Sequence, residues 1–116
     1  MSSVTPSSVN VRFTPEFKRS LHALAKKYRR IRADVEPIIE QLRTGLLPGD
    51  HVPGVGAPIF KVRIRVTDAA RGKRGGYRLL YYLQTPTEII LITIYSKSEQ
   101  ADVSPDEIRQ ILGGIG

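Results

Sequence analysis

The chain has 116 residues, a formal net charge of +7 and no cysteine. This length suits one compact domain, so we predict that residues 1–116 form a single unit. The lack of cysteine excludes disulfide frameworks and thiolate metal sites, and the two isolated histidines, His22 and His51, suggest no other metal centre or cofactor. The excess of cations favours nucleic acid, an acidic protein or an anionic membrane surface as the partner.

Targeting signals are missing from the sequence. Residues 1–10 lack the basic start and apolar stretch of a signal peptide, and the longest apolar run, EIILITIY, is too short to cross a bilayer. We therefore predict a cytoplasmic protein without membrane contact. Residues 1–8 are rich in Ser, Thr and Pro and are predicted to be a flexible tail.

A short strand and a helix are predicted next. The alternation in VNVRF, from Val9 to Phe13, is typical of a strand. Thr14-Pro15-Glu16 then combines a capping hydroxyl, a proline suited to the first helical position and an acid at the positive end of the helix dipole. The helix that begins here has an apolar face formed by Phe17, Leu21, Leu24 and Tyr28.

The second helix has apolar residues at helical spacing from Val35 to Leu42. Proline is tolerated only in the first turn of a helix, so Pro37 places the start near Ala33 or Asp34, and Gly45 is suited to the end. The segment LLPGDHVPGVGAP that follows contains too many Pro and Gly residues for regular structure and is predicted to be a surface loop.

Three strands and a final helix are predicted in the C-terminal half. In the first strand, Phe60, Val62 and Ile64 alternate with Lys61, Arg63 and Arg65. The second strand is YRLLYYL; in the third, IILITIYSK, Ile90, Ile92 and Ile94 are predicted on one face and Thr93, Tyr95 and Lys97 on the other. Ser104-Pro105-Asp106-Glu107 is a capping box that begins a short helix.

The sheet is therefore predicted to have an apolar face on the helices and an outer face that displays Arg63, Arg78, Tyr95 and Lys97. Solubility alone would explain scattered cations on an outer face, but it would also intersperse acids. Neighbouring like charges roughly 7 Å apart on one strand cost about 2 kcal/mol at an effective dielectric near 20, before screening by salt. A bound polyanion would remove this cost, which favours an anion-binding surface.

These residues also carry a resemblance to a known family. KVRIRV, GKRGGYRLLYYL and ILITIYSKSEQADVSPDEI resemble the RelE/HigB toxins of bacterial type II toxin-antitoxin systems. The similarity is close from Ile59 to Leu112, whereas only the order strand, helix, helix agrees before Ile59. It implies an α+β fold of the microbial RNase type, with two N-terminal helices packed on a twisted antiparallel sheet and a short C-terminal helix.

The resemblance implies an mRNA endoribonuclease that cleaves message in the ribosomal A site and is inhibited by a cognate antitoxin. Attack by the RNA 2′-hydroxyl needs a base, an acid and positive charge near the phosphorane, and none of these requires a metal. Similar proteins use Lys, Arg and Tyr for this purpose, because a lysine crowded by cations holds its proton less tightly. The catalytic candidates are Arg63, Lys73, Arg78, Tyr95 and Lys97.

Individual roles follow from side-chain chemistry. Arg63 and Arg78 are predicted to bind the scissile phosphate, Lys73 or Lys61 to act as the base, and Lys97 to act as the acid or as a second charge stabiliser. Tyr95 is predicted to stack on an mRNA base, with packing in the sheet as the alternative. The remaining predicted RNA contacts are Lys61, Arg65, Arg71 and Arg74, together with Lys26 and Arg30 from KKYRRIR at the end of the first helix, which contact ribosomal RNA or merely complement the helix dipole.

Two other functions remain open from the sequence. A ParE-like protein of the same fold would inhibit DNA gyrase, but such relatives generally lack the full basic and Tyr-Lys set. A non-catalytic RNA-binding module is the second alternative. The expected partners are mRNA, ribosomal RNA and an antitoxin of the HigA type with a helix-turn-helix domain.

Overall fold

The computed structural model describes residues 9–67, 76–100 and 102–114. Within these ranges the chain forms five strands and three helices. Their bounds, in chain order, are β1 (Asn10–Phe13), α1 (Pro15–Ala25), α2 (Ile31–Arg43), β2 (Asp50–His51), β3 (Ile59–Ile64), β4 (Tyr77–Thr85), β5 (Glu88–Ser96) and α3 (Pro105–Gly113). None of the helices in the described ranges has the length and apolar character that a bilayer-spanning segment requires.

The five strands form one sheet in the order β1-β5-β4-β3-β2. Strand β4 pairs antiparallel with β3 and β5, as predicted, and β2 pairs antiparallel with β3. Strand β1 runs parallel to β5, which makes the sheet mixed and not purely antiparallel. The predicted α+β fold, with two N-terminal helices, one sheet and a short C-terminal helix, is confirmed. The segment predicted to be a loop between α2 and β3 contains the two-residue strand β2 at the sheet edge.

The predicted caps of α1 and α3 are confirmed. The Thr14 hydroxyl accepts a hydrogen bond from the Phe17 amide at 2.9 Å and donates one to the Ile92 carbonyl at 2.7 Å, so one buried side chain both begins α1 and ties it to β5. At α3, the Ser104 hydroxyl and the Glu107 carboxylate exchange hydrogen bonds with each other's backbone amides, at 3.1 and 2.9 Å.

Helix α2 begins earlier than predicted. It starts at Ile31, so the prediction of Ala33 or Asp34 was wrong, and Pro37 lies inside the helix. Ile31 is fully buried, and burial of such a side chain is worth roughly 1.5–3 kcal/mol, which offsets much of the roughly 3 kcal/mol cost of an internal proline. Gly45 ends the helix with φ +94°, and the Gly45 and Leu46 amides bond the carbonyls of the last turn.

The sheet is covered on both faces. The first core lies between the sheet and α1 and α2, and its sheet residues include Val62, Ile64, Tyr77, Leu79, Tyr81 and Leu91. The second core lies on the opposite face, where α3 contributes Ile108, and it includes Val55, Ile59, Leu80, Ile92 and Tyr95. Helix α3 therefore covers part of the face that was predicted to be open, and the cations of that face lie beside it.

A β-bulge changes the predicted alternation of β5. Leu80 pairs with Thr93 while Tyr81 pairs with Leu91, so Ile92 is an extra residue in β5. The predicted common face of Ile90, Ile92 and Ile94 was therefore wrong: Ile92 packs in the second core and Ile94 in the first. Tyr95 pairs with Arg78 and lies on the face of the second core, which is the face that carries the cations, as predicted.

Candidate active site

Three side chains form a row across the centre of the sheet, on the face of the second core. Arg63 of β3 pairs with Arg78 of β4, and Arg78 pairs with Tyr95 of β5. Directly paired residues point to the same face, with Cβ atoms roughly 5 Å apart. The register confirms that Arg63 and Arg78 face each other, as predicted. We call Arg63, Arg78 and Tyr95 the cross-strand row.

Exposure differs along this row. Arg63 is exposed, Arg78 is half-buried and Tyr95 is only 5 % exposed. Among the residues that the structure describes, no carboxylate forms an ion pair with Arg63. One end of the row therefore presents a guanidinium to solvent, and the other end is fixed in the protein interior.

Two cavities adjoin Arg63. One, of about 450 Å³, is bordered by Lys61, Arg63, Arg78 and residues 48–50; the other, of about 600 Å³, is bordered by Arg63, Arg65, Val66 and Thr67. Gly49 allows the backbone before β2 to pass close to β3, because a Cβ at this residue would lie 2.4 Å from the Lys61 carbonyl and its φ is +94°. Cationic side chains thus border both concave surfaces, which share Arg63, and one acid, Asp50, also lines the first.

Asp102 lies beside the cross-strand row and gathers three side chains around one carboxylate. It accepts hydrogen bonds from the Tyr95 hydroxyl at 3.0 Å and from the Lys61 ammonium at 3.2 Å. The Lys97 ammonium is 3.7 Å from its second oxygen. Lys61 and Lys97 are 36 residues apart in the sequence and were predicted to have separate roles in the site. In the structure both contact the carboxylate of Asp102.

The charge states of Tyr95 and Asp102 follow from these contacts. Burial, and then the hydrogen bond and charge of Asp102, raise the pKa of Tyr95 to about 12. The hydrogen bonds from Tyr95 and then Lys61 lower the pKa of the Asp102 carboxyl below its usual range. At neutral pH, Tyr95 is a neutral donor and Asp102 is an anion.

The position of Tyr95 agrees with packing in the sheet. Its ring lies in the second core with Leu80, Ile92 and Ile108, and its hydroxyl is bonded to Asp102. Stacking on a nucleobase needs an exposed ring face. In this conformation the structure does not offer that face, so the stacking predicted for Tyr95 is not compatible with the observed burial.

The other predicted RNA contacts lie at different distances from the row. Arg65 borders the larger cavity, and Arg30 donates to the hydroxyl of Thr67, a residue that lines this cavity, at 3.1 Å. Lys26 caps the C-terminus of α1. The run KKYRRIR extends from there into α2 rather than ending with α1, and its Tyr28 and Ile31 are buried. Arg71, Lys73 and Arg74 lie outside the described residues.

The two histidines lie away from the row. His22 is exposed on α1, and His51 is exposed on β2, where its ring contacts Phe60 edge-on. The part of the chain that the structure describes contains no group of three or more His, Cys, Asp or Glu residues able to hold a metal ion.

Sequence reasoning missed Asp102. No local pattern distinguishes it, because it follows β5 in a polar stretch and its partner Lys61 is 41 residues away. The one available signal is that two acids, Glu99 and Asp102, occur between Lys97 and the capping box, close in sequence to the predicted site.

A comparison with protein families connects this site with a known group. A family model described as the RelE toxin of the RelE / RelB toxin-antitoxin system matches residues 16–113. The match includes all three helices nearly in full, strands β2 to β5, the cross-strand row and Asp102. The chain therefore belongs to the RelE toxin family, whose members are the toxin half of toxin-antitoxin pairs.

Proposed function

We propose that this RelE-family chain is an mRNA endoribonuclease that acts on translating ribosomes and inhibits translation. The single observation that carries the proposal is the pairing of Arg63 with Arg78 on neighbouring strands, beside two concave surfaces. A phosphodiester placed between two guanidinium groups would receive several charge-assisted hydrogen bonds. Two like charges held this close are a cost to folding that a bound phosphate removes.

The proposed reaction is attack of the RNA 2′-hydroxyl on the adjacent phosphate. The 2′-oxygen forms a bond to phosphorus, the bond to the 5′-oxygen breaks, and a cyclic phosphate and a 5′-hydroxyl are released. Arg63 and Arg78 stabilise the extra negative charge of the phosphorane, an effect for which one donor is typically worth about 10²–10³ in rate. All of these steps are acid-base and electrostatic, so the proposed reaction uses no metal.

Asp102 separates the roles of the lysines. Its carboxylate lies 3.2 Å from the Lys61 ammonium and 3.7 Å from the Lys97 ammonium, so both N–H donors are held beside the cross-strand row. This supports Lys97 as the acid for the leaving 5′-oxygen and Lys61 as a charge stabiliser. Of the two bases considered from the sequence, Lys73 is then the one we propose.

The remaining cations are proposed to bind RNA without chemistry. Arg65 borders the cavity next to Arg63, and Arg30 bonds to Thr67 at that cavity; we assign to these two arginines the phosphates that flank the cleavage point. Lys26, Arg71 and Arg74 are proposed contacts with ribosomal RNA. Such contacts set affinity and its salt dependence but not sequence preference.

The antitoxin is proposed to act on the same surface. Family membership implies an antitoxin partner, and we propose one of the HigA type with a helix-turn-helix domain. It would inhibit either by placing acidic side chains over the cross-strand row or by docking nearby and blocking access to the ribosome. We propose that the toxin acts in the cytoplasm, where translating ribosomes are found.

The decisive experiment compares the purified chain on programmed ribosomes, on naked mRNA and on DNA gyrase. We expect cleaved message with a 5′-hydroxyl end only when ribosomes are present. Cleavage should persist when EDTA is added to ribosomes whose assembly has first been stabilised by crosslinking, because the proposed reaction uses no metal. Arg63→Ala and Arg78→Ala should abolish cleavage and growth arrest, whereas Arg43→Ala, on the exposed side of α2, should not. Broken or relaxed DNA without mRNA cleavage would indicate the gyrase alternative, and ribosome binding without cleavage would indicate the non-catalytic one.

A further inference from the structure

Asp102 is an exposed carboxylate in the middle of a cationic site, and it takes part in none of the bond-making or proton-transfer steps of the proposed reaction. Its side chain is 58 % exposed, yet it contacts Lys61 of β3, Tyr95 of β5 and Lys97 just after β5. An exposed side chain keeps contacts with three residues of the sheet only if its backbone is held close to them. The segment that carries it is therefore the first feature to consider.

Helix α3 fixes that segment. Asp102 lies two residues before Ser104, the N-cap of α3, and the capping box closes there. Ile108 is fully buried in the second core, and Arg109 donates to the Gly54 carbonyl at 2.7 Å, so the helix is attached to the loop before β3 as well as to the sheet. The backbone at Asp102 is thus held by a packed helix beside the cross-strand row.

Tyr95 fixes the carboxylate itself. Its ring is immobilised in the second core, and its hydroxyl donates to one Asp102 oxygen at 3.0 Å. That oxygen also accepts from Lys61, while the second oxygen faces Lys97. A rigid phenol therefore orients a carboxylate, and the carboxylate orients two flexible ammonium groups.

We propose that Asp102 is a positioning residue of the nuclease site: anchored by the Tyr95 hydroxyl, its carboxylate holds the ammonium groups of Lys61 and Lys97 beside the Arg63–Arg78 pair. Tyr95 is then a positioning residue as well, acting through Asp102 rather than by contact with RNA. This role rests on the proposed function. A free lysine side chain has many rotamers, and holding it near the reacting phosphate removes most of that freedom before RNA binds.

The alternative to a positioning role is that Asp102 only repels RNA, and the two possibilities predict opposite changes in the cleavage rate when Asp102 is removed. If Asp102 merely occupied the phosphate position and repelled RNA, its removal would strengthen binding and speed cleavage. If it positions the lysines, removal also strengthens binding, because a negative charge leaves the RNA surface, but slows cleavage at saturation. Cleavage at saturating toxin therefore separates the two.

The test is single-turnover cleavage on programmed ribosomes with Asp102→Asn, Asp102→Glu, Tyr95→Phe and the Asp102→Asn/Tyr95→Phe double variant. We expect Asp102→Asn to lower the saturated rate by about 10- to 100-fold, the range for a displaced catalytic group. The toxin concentration at half-saturation should stay equal or fall. Asp102→Glu keeps the charge and should recover most of the rate. The double variant should be no slower than Asp102→Asn alone, since both changes remove one arrangement.

Glu99→Gln is the matched control. Glu99 also accepts hydrogen bonds from a tyrosine and a lysine, Tyr28 at 3.1 Å and Lys27 at 3.2 Å, but outside the cross-strand row. It should change the cleavage rate less than about two-fold. An Asp102→Asn protein that cleaves as fast as the wild type, or a double variant whose losses multiply, would overturn the positioning role.

A measurement without catalysis separates this role from the proposed function. Lysines labelled by reductive ¹³C-methylation report their surroundings by NMR while keeping their charge. In Asp102→Asn the Lys61 and Lys97 signals should shift and sharpen, whereas in Glu99→Gln only the Lys27 signal should change. If the wild type fails to cleave mRNA but these shifts occur, the nuclease proposal fails and the Asp102 arrangement stands; unchanged Lys61 and Lys97 signals would remove the arrangement itself.

Discussion

Replacing Arg63 by glutamine should stabilise the fold while removing its activity. Arg63 is exposed and directly opposite Arg78 in the sheet, and no described carboxylate pairs with it. Glutamine keeps part of the aliphatic stem and removes the charge. The expected gain in the free energy of unfolding equals the repulsion between Arg63 and Arg78 in the wild type, which the variant no longer has.

The size of this repulsion follows from the register. Cβ atoms of paired residues lie roughly 5 Å apart, and we take the guanidinium groups of Arg63 and Arg78 to be about 7 Å apart. Two unit charges at this distance repel by about 0.6 kcal/mol at the dielectric of water and by about 2.4 kcal/mol at an effective dielectric of 20. A Debye length of about 8 Å at physiological salt leaves roughly 0.3–1 kcal/mol. For a domain of this size that is an increase of about 1–4 °C in Tm.

Thermal unfolding followed by circular dichroism measures this difference. The gain for Arg63→Gln should grow at about 10 mM salt and shrink at about 1 M, because the Debye length changes from about 30 to 3 Å. Arg43→Gln is the control of opposite sign, since it removes an ion pair 2.7 Å from Glu40 and should leave Tm equal or slightly lower. A lower Tm for Arg63→Gln at low salt, or a gain that ignores salt, would refute the proposed repulsion; cleavage at the wild-type rate would refute the phosphate-binding role.

Three further outcomes are expected. Charge reversal of Lys26 and Arg30 should weaken ribosome association and reduce the slope of log affinity against log salt by about one for each lost phosphate contact, as measured by sedimentation at several salt concentrations. Thr14→Ala should lower the free energy of unfolding by about 1–3 kcal/mol in urea titration, because it removes a helix cap and leaves the buried Ile92 carbonyl without its 2.7 Å bond. Burial raises the pKa of Tyr81 to about 12, so the contribution of its hydroxyl to stability is complete below pH 10 and is lost as the pH rises toward 12. Tyr81→Phe should therefore be less stable than the wild type at pH 8. The difference in the free energy of unfolding should narrow between pH 10 and 12 in urea titrations.

Local chemistry made much of this protein predictable. The capping groups at Thr14 and Ser104 act within three residues of themselves, so both helix starts could be derived from adjacent letters. Strand alternation has a period of two, so the apolar residues on either side of Arg63 and of Arg78 were enough to predict that both arginines lie on the same side of the sheet. Features of this kind depend on neighbours along the chain, and a sequence contains those neighbours.

Packing between distant segments decided the rest. The start of α2 at Ile31 depends on a core site that accepts this side chain and offsets the cost of Pro37, and the bulge at Ile92 depends on how β4 and β5 fit together. Asp102 reaches Lys61, 41 residues earlier, only because Ile108 anchors α3 over one part of the sheet and not another. The order of residues determined which side chains carry charge and where α1 and α3 begin. The contact between Asp102 and the two lysines was decided by where α3 packs, because burial of apolar surface depends on fit in three dimensions and not on neighbours along the chain.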